Sequence, residues 1–163
     1  MTPETALAET VRLAATHARQ YPDDAASAPW LVTATVLGAQ QAAAIALRAA
    51  GDSIPSQAGA TELLLRAASK DRLPPPFTLP FGAATRQSFD RLVEARNTFM
   101  HPRGLTWFFS QDTLARGLSV ASQTIRHLIL TQPVLDDLVS PDQQKAMHDG
   151  LEEIEALAEF LAD

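Results

Sequence analysis

The stretch from Ala25 to Leu47 contains no charged residue, and it constrains the fold more than any other part of the chain. Alanine and aliphatic residues dominate it, and as an α-helix it would approach the thickness of a lipid bilayer. Pro29, two threonines and the Gln40-Gln41 pair suit the interior of a protein better than lipid. We therefore expect a buried central helix and no membrane span.

Capping residues and helix stops divide the rest of the chain into helices, and strand signals are absent. Thr2 precedes Pro3 at the start of the first helix, and Ser140 to Gln143 has the form of a capping box. Consecutive prolines at 74–76 must end a short third helix, which is predicted from Thr61 to Arg72. These signals predict a helical protein with short connections.

Apolar residues repeat at helical spacing in the predicted helices, as expected for core-facing stripes. The predicted core residues are Phe89, Leu92, Val93, Phe99 and Met100 in the fourth helix; Leu114, Leu118, Ala121, Ile125, Leu128 and Ile129 in the fifth; and Met147, Leu151, Ile154, Ala158 and Leu161 in the last. We expect an all-α fold in which residues 1–163 form a single bundle of five to six helices.

The absence of cysteine and of a leader-like N-terminus bears on the cellular compartment. A chain without cysteine has no disulfides and no thiolate metal sites, and it suits a reducing environment. Glu4 and Glu9 stand where a secretory signal would carry a basic and then an apolar run. We expect a cytoplasmic protein.

The net charge of −6 is unevenly distributed. Residues 86–132 carry six basic and three acidic side chains, which gives +3, whereas residues 133–163 carry one basic and nine acidic side chains, which gives −8. Broad coating of nucleic acid requires a strongly basic surface. Any contact with RNA would therefore be local.

The run from Glu94 to Pro102 lies at the predicted end of the fourth helix, in the net-positive part of the chain. It places Arg96 five residues before His101, and it contains the only asparagine of the sequence, Asn97. A fixed cation beside a group that titrates near neutral pH suits phosphate chemistry. The proline ends the helix, so the helix dipole favours the protonated imidazole at its C-terminus.

This run resembles the Arg-Asn-x-x-x-His motif of HEPN domains, an all-helical superfamily of metal-independent endoribonucleases and their inactive relatives. The resemblance implies that Arg96 holds the scissile phosphate and that Asn97 orients the site. It further implies that His101 activates the ribose 2′-hydroxyl or protonates the leaving 5′-oxygen. Arg91 and Arg103 are the expected RNA contacts beside these catalytic residues.

The resemblance also implies an assembly. One protomer supplies one arginine and one histidine, whereas metal-free RNA cleavage requires a base, an acid and a cation. HEPN nucleases meet this requirement by pairing two copies around a twofold axis, so we expect a homodimer with the fourth helix at its interface. An antitoxin or regulatory protein is a further candidate partner, although Arg103 replaces the tyrosine of the branch paired with an antitoxin nucleotidyltransferase.

Three other interpretations of the chain stay open. It could be a catalytically inactive HEPN-fold module that binds a nucleotide or a protein. It could be a helical adaptor whose acidic last helix is the interface. The motif could also be an ordinary helix end with a solvent-facing histidine and a salt-bridged arginine.

Few other side chains suggest chemistry. Asp90, Glu94 and His101 share one helix stripe, but two carboxylates and one histidine form a poor transition-metal set. Trp107-Phe108-Phe109 is either an aromatic platform for bases or, more in keeping with ordinary packing, a core plug or dimer contact. The isolated histidines are expected at the surface or rim: His17, His127 and His148. Phosphate-binding glycine loops are missing, so we expect neither a cofactor nor a metal.

Overall fold

The computed structural model describes residues 1–100, 110–131 and 140–163, and every regular element within these ranges is helical. The six α-helices of the described part are α1 (Pro3–Gln20), α2 (Ala28–Ala49), α3 (Ala60–Ala67), α4 (Ala83–Met100), α5 (Gln111–Ile125) and α6 (Pro141–Ala162). A 3₁₀ turn, Ala25–Ser27, precedes α2, and a π-helical segment, Arg126–Thr131, continues α5. The predicted all-α bundle is confirmed.

Helix α2 is the centre of the bundle. It packs against α1, α3, α4 and α5. The absence of charge up to Leu47 suits this central position, because a central helix offers little surface to water. The segment Ala25–Ala49 is long and apolar enough to cross a membrane by length and composition, but 67% of its most apolar window is buried inside the bundle. The prediction of a buried core helix is therefore confirmed.

The predicted helix starts carry the hydrogen bonds that their sequences indicate. Thr2 Oγ1 accepts from the backbone N–H of Thr5 at 3.2 Å. Ser140 and Gln143 form a complete capping box, in which each side chain accepts from the other residue's backbone N–H. These contacts satisfy donors that a helix N-terminus would otherwise leave unpaired.

Helix α3 is shorter than predicted, since it ends at Ala67 and not at Arg72. The carbonyl of Ala67, which a longer helix would pair with residue 71, accepts instead from the N–H of Leu79 at 2.9 Å. This long-range bond draws the proline-containing segment against the end of α3. The helix therefore stops before the prolines themselves are reached.

The core stripes of α5 and α6 are buried as predicted, whereas the stripe of α4 is only partly buried. Phe89 and Leu92 are fully buried, and Val93 and Phe99 are partly buried against the core. The prediction for Met100 is wrong, because this side chain is 57% exposed. Met100 lies on the same side as Phe89 but three turns later, beyond the buried part of the helix.

Helices α4 and α5 approach closely at Gly117. A Cβ atom at this position would lie 2.8 Å from the Cβ atom of Leu92, a branch point that cannot swing aside as the end of a flexible chain can. Leu92 is one turn before Arg96 on the same helix. The glycine therefore sets how closely α4 packs against α5 just before the second half of α4.

Gly117→Ala is expected to destabilise the fold by about 1 kcal/mol. Overpacking costs about 1–3 kcal/mol, and the better helix propensity of alanine offsets about 1 kcal/mol of this. Urea unfolding followed by circular dichroism measures the difference. A free energy of unfolding for Gly117→Ala equal to or above that of wild type would contradict the close contact.

Candidate functional site

The described part of the predicted motif lies in the last turns of α4. Arg96 is half-buried and Asn97 is exposed. The Nε and Nη2 atoms of Arg96 donate to Oδ1 of Asn97 at 3.1 and 2.8 Å. Two neighbouring polar side chains of the motif are thus joined; His101 and Arg103 lie outside the described residues.

The Arg96–Asn97 pair presents hydrogen-bond donors to its surroundings. Arginine has only donors, so Oδ1 of Asn97 must be the atom that faces it, and the amide nitrogen points elsewhere. The free N–H groups of the guanidinium and both amide protons then remain, with no acceptor for them in the described ranges. A cluster of donors with one positive charge complements an anion with several acceptor oxygens.

Helical geometry places Arg96 on the inward side of α4. It follows Phe89 by seven residues, or two turns, so both lie on one side of the helix. Phe89 is fully buried, whereas Arg96 emerges where the helix passes the edge of the core. The aliphatic stem of the arginine is thereby held in place while its charged end reaches solvent.

Most arginines in the described part of the chain are neutralised, and Arg96 is not. Those paired with a carboxylate within 4.0 Å are Arg12, Arg19, Arg66, Arg72, Arg86, Arg116 and Arg126. Arg48, Arg91 and Arg96 have no such partner among the described residues. Two of these three lie on α4, five residues apart, so positive charge is available where the motif lies.

The carboxylates of α4, Asp90 and Glu94, do not pair with Arg96. Asp90 accepts a hydrogen bond from Thr61 Oγ1 at 2.7 Å and lies 3.5 Å from the guanidinium of Arg86. It thereby links α3 to α4. Glu94 is exposed.

The described residues do hold one group of three side chains able to share a metal ion, on α6: His148, Asp149 and Glu152. All three are exposed, and Lys145 Nζ lies 2.7 Å from the Asp149 carboxylate. This group was not foreseen in the sequence. Its exposure and its lysine neighbour describe a solvated helix surface.

His127 has a structural role that sequence reasoning missed. It is half-buried in the π-helical segment, and its Nε2 atom lies 3.3 Å from the carbonyl oxygen of Phe77 and 3.1 Å from that of Thr78. As a donor it ties the loop after α3 to the end of α5. Its partners are backbone atoms about fifty positions away, so no local spacing could reveal it.

The other two isolated histidines differ. His148 is exposed, as expected. His17 is half-buried, and its Nδ1 atom is buried without a hydrogen-bond partner in the described part of the chain. The aromatic run Trp107-Phe108-Phe109 lies outside the described residues, so its role stays a prediction.

Asp52, just after α2, is the most heavily engaged carboxylate of the described residues. Its side chain is 5% exposed and lies 2.9 Å from Arg66 and 2.6 Å from Arg72. Burial alone would raise the pKa of Asp52, but the hydrogen bonds and charges of the two arginines outweigh it and hold the pKa below its ordinary value. The cluster ties α2 to α3 and the following turn, and it neutralises the charges of Arg66 and Arg72.

Comparisons of the chain with protein-family models, with curated proteins and with solved structures each found no match. The surroundings of α4 and the pattern of its residues are therefore the basis on which a function is assigned.

Asp52→Asn is expected to have a lower free energy of unfolding than wild type near neutral pH. The difference between the two proteins should become smaller in acid. As the pH falls, the unfolded chain binds the proton first, near the ordinary pKa of 3.8, because the folded pKa is lower. The contribution of Asp52 is thus fully present above that value and disappears as the pH falls through the folded pKa. Urea unfolding of both proteins over a pH series measures it.

Asp112→Asn is the control for this pH series, because Asp112 pairs with Arg116 on an exposed helix surface and should contribute little at any pH. A difference between wild type and Asp52→Asn that stays constant from neutral pH into strong acid would contradict the role of the charge.

Proposed function

We propose that this chain is a HEPN-like, metal-independent endoribonuclease of a toxin or defence system, acting as a homodimer in the cytoplasm. The observation that carries the proposal is the state of Arg96. It is positioned by the core side of α4, oriented by Asn97, and unneutralised by any carboxylate of the described residues. An ordinary structural arginine at a helix end would pair with a nearby acid, as most arginines of this chain do.

In this proposal the donors of Arg96 and Asn97 bind the phosphate whose ester bond is cleaved. As the 2′-oxygen attacks, negative charge grows on the phosphate oxygens, and a fixed guanidinium stabilises that charge more than it stabilises the substrate. His101 supplies the proton transfer to or from the 2′-hydroxyl and the leaving 5′-oxygen. The products are a 2′,3′-cyclic phosphate and a 5′-hydroxyl.

The dimer follows from the small number of groups in one copy. Five helical residues would turn through about 140°, so the sequence spacing does not predict one narrow stripe for Arg96 and His101. A second copy around a twofold axis would add another arginine and another histidine to the same cleft. The exposed side chain of Met100, in the last turn of α4, offers apolar surface for such a contact.

The distribution of charge favours a local contact with RNA. Arg91 lies on α4 without an ion-pair partner in the described ranges, and Arg103 follows the motif. Acidic residues concentrate instead in α6, away from the central helix. We propose that Arg91 and Arg103 bind phosphates that flank the cleaved bond, and that an antitoxin or regulatory protein restrains the enzyme.

Arg96→Ala and His101→Ala are each expected to lower the rate of RNA cleavage by about 100-fold or more, because each removes a group that acts on the transition state. The assay uses varied RNAs in the presence of EDTA, with the cyclic phosphate ends identified by mass spectrometry. Arg48→Ala is the control, since Arg48 is another arginine with no carboxylate partner in the described residues but lies at the end of α2. It should retain full activity.

Two outcomes would redirect the assignment. If wild type cleaves none of the RNAs, an inactive HEPN-fold module that binds a nucleotide or a protein replaces the enzyme. If EDTA abolishes cleavage and a divalent ion restores it, the carboxylates of α4 become the candidates. Thermal unfolding accompanies each variant, and Arg96→Ala should lose no more than about 1 kcal/mol of stability.

Light scattering is expected to give the mass of a dimer at micromolar concentration, and mixing inactive variants tests whether the sites are shared. Each variant alone lacks one kind of group in both halves of the cleft, whereas a mixed dimer of Arg96→Ala with His101→Ala regains one arginine and one histidine and lacks only the second copy of each. Partial recovery of cleavage on mixing would therefore follow from a shared site. A monomer at micromolar concentration, or active monomers, would contradict it.

A further inference from the structure

A cleft of about 680 Å³ lies on the outside of the bundle, between the first turns of α4, the length of α5 and the second half of α6. Its α4 residues precede Arg96 by eight positions or more, which is at least about 12 Å along the helix. The cleft is thus distinct from the motif. It is open to solvent along one side.

The longest wall of the cleft has the length of three helical turns. Its lining runs from Ala115 on α5 to Arg126, the first residue of the π-helical segment, about 16 Å along the helix. Each wall contributes small side chains one turn apart, which let a guest backbone approach closely: Ala84 and Ser88, Ala115 and Ser119, Ala158 and Ala162. Helices pack at interaxial distances of about 8–10 Å, the shorter ones where the contact residues are small.

The charges of the cleft are not balanced across it. Arg116 is held by Asp112 at 2.7 Å and Arg126 by Glu155 at 2.9 Å, so these arginines are already neutralised. Glu159, on the α6 wall, has no ion-pair partner in the part of the chain that the structure describes. The α6 side of the cleft therefore offers a negative charge that no cation of the described residues neutralises.

The α4 wall of the cleft is uncharged, because its lining residues are Ala84, Thr85 and Ser88. A guest lying in the cleft would meet negative charge on its α6 side and uncharged side chains on its α4 side.

We propose that this cleft binds an α-helix of a partner protein, with an apolar face toward α5 and basic residues toward α6. The apolar lining and three-turn length select a helix, and the unpaired carboxylate of Glu159 selects lysine or arginine on one flank. A nucleic acid is disfavoured, because Glu159 and the acidic surface of α6 repel phosphates.

The test uses two designed helical peptides of roughly 15 residues, the length at which an isolated helix becomes stable in water. Both carry the same leucine–alanine face, and one has lysine flanks where the other has glutamate flanks. Fluorescence anisotropy with the full chain should give at least about tenfold tighter binding of the lysine peptide. No binding of the lysine peptide, or equal binding of both, overturns the proposal.

Variants locate the binding in the cleft. Ser119→Trp fills the cleft from α5 and should weaken binding of the lysine peptide about tenfold or more. Ser88→Trp fills the cleft from α4 and replaces Ser119→Trp if that variant fails to fold. Glu159→Lys should reverse the preference between the peptides. Glu153→Lys makes the same charge change on another side of α6, where Glu153 faces Arg19, and should leave the preference intact.

Two results contradict the assignment directly. Binding that survives both tryptophan variants lies elsewhere on the surface. Binding of a single-stranded RNA that Ser119→Trp abolishes would make the cleft a nucleic-acid site. RNA cleavage by wild type is measured separately, so a failure of helix binding leaves the nuclease proposal unaffected.

Discussion

The burial of α2 is the constraint on which the rest of the structure depends. A helix with no charge over most of its length must be covered on nearly every side, and α1, α3, α4 and α5 supply that cover. The apolar faces of these helices follow from the same requirement, since each is paired with a side of α2. Helix α6 contributes differently, because it covers α1 and α5 and does not reach α2 within the described ranges.

Helix α4 is where this arrangement brings an arginine and an asparagine to the surface. Its middle is pinned by Phe89 and Leu92, and Gly117 lets α5 approach Leu92 closely. The last turns extend beyond that anchor and carry Arg96 with Asn97. A rigid base with a projecting end, whose arginine has no carboxylate partner among the described residues, combines precise placement of a cation with access to solvent.

Sequence patterns predicted the helices well wherever local chemistry determines them. The caps at Thr2 and Ser140 involve residues three positions apart, so their signals are complete in the sequence. Sequence patterns did not predict the end of α3, the exposure of Met100 or the hydrogen bonds of His127. These features depend on how segments distant in the sequence pack together. At the site, the motif identified Arg96 and Asn97. Their mutual hydrogen bonds, and the absence of a carboxylate partner for Arg96 among the described residues, are visible only in the structure.

The packing of α6 on α1 has a consequence for synthesis on the ribosome. Gln143 Nε2 donates to Thr5 Oγ1 across 138 positions of the sequence, and Gly150 lies against Val11. At translation rates of about 5–20 residues per second, α1 waits roughly six to thirty seconds for this partner. During that interval the side of α1 that α6 covers in the bundle is available to chaperones, while its other apolar side can already pack on α2. A first helix that is covered completely only when the sixth is made gives the cell time to intervene before the bundle closes.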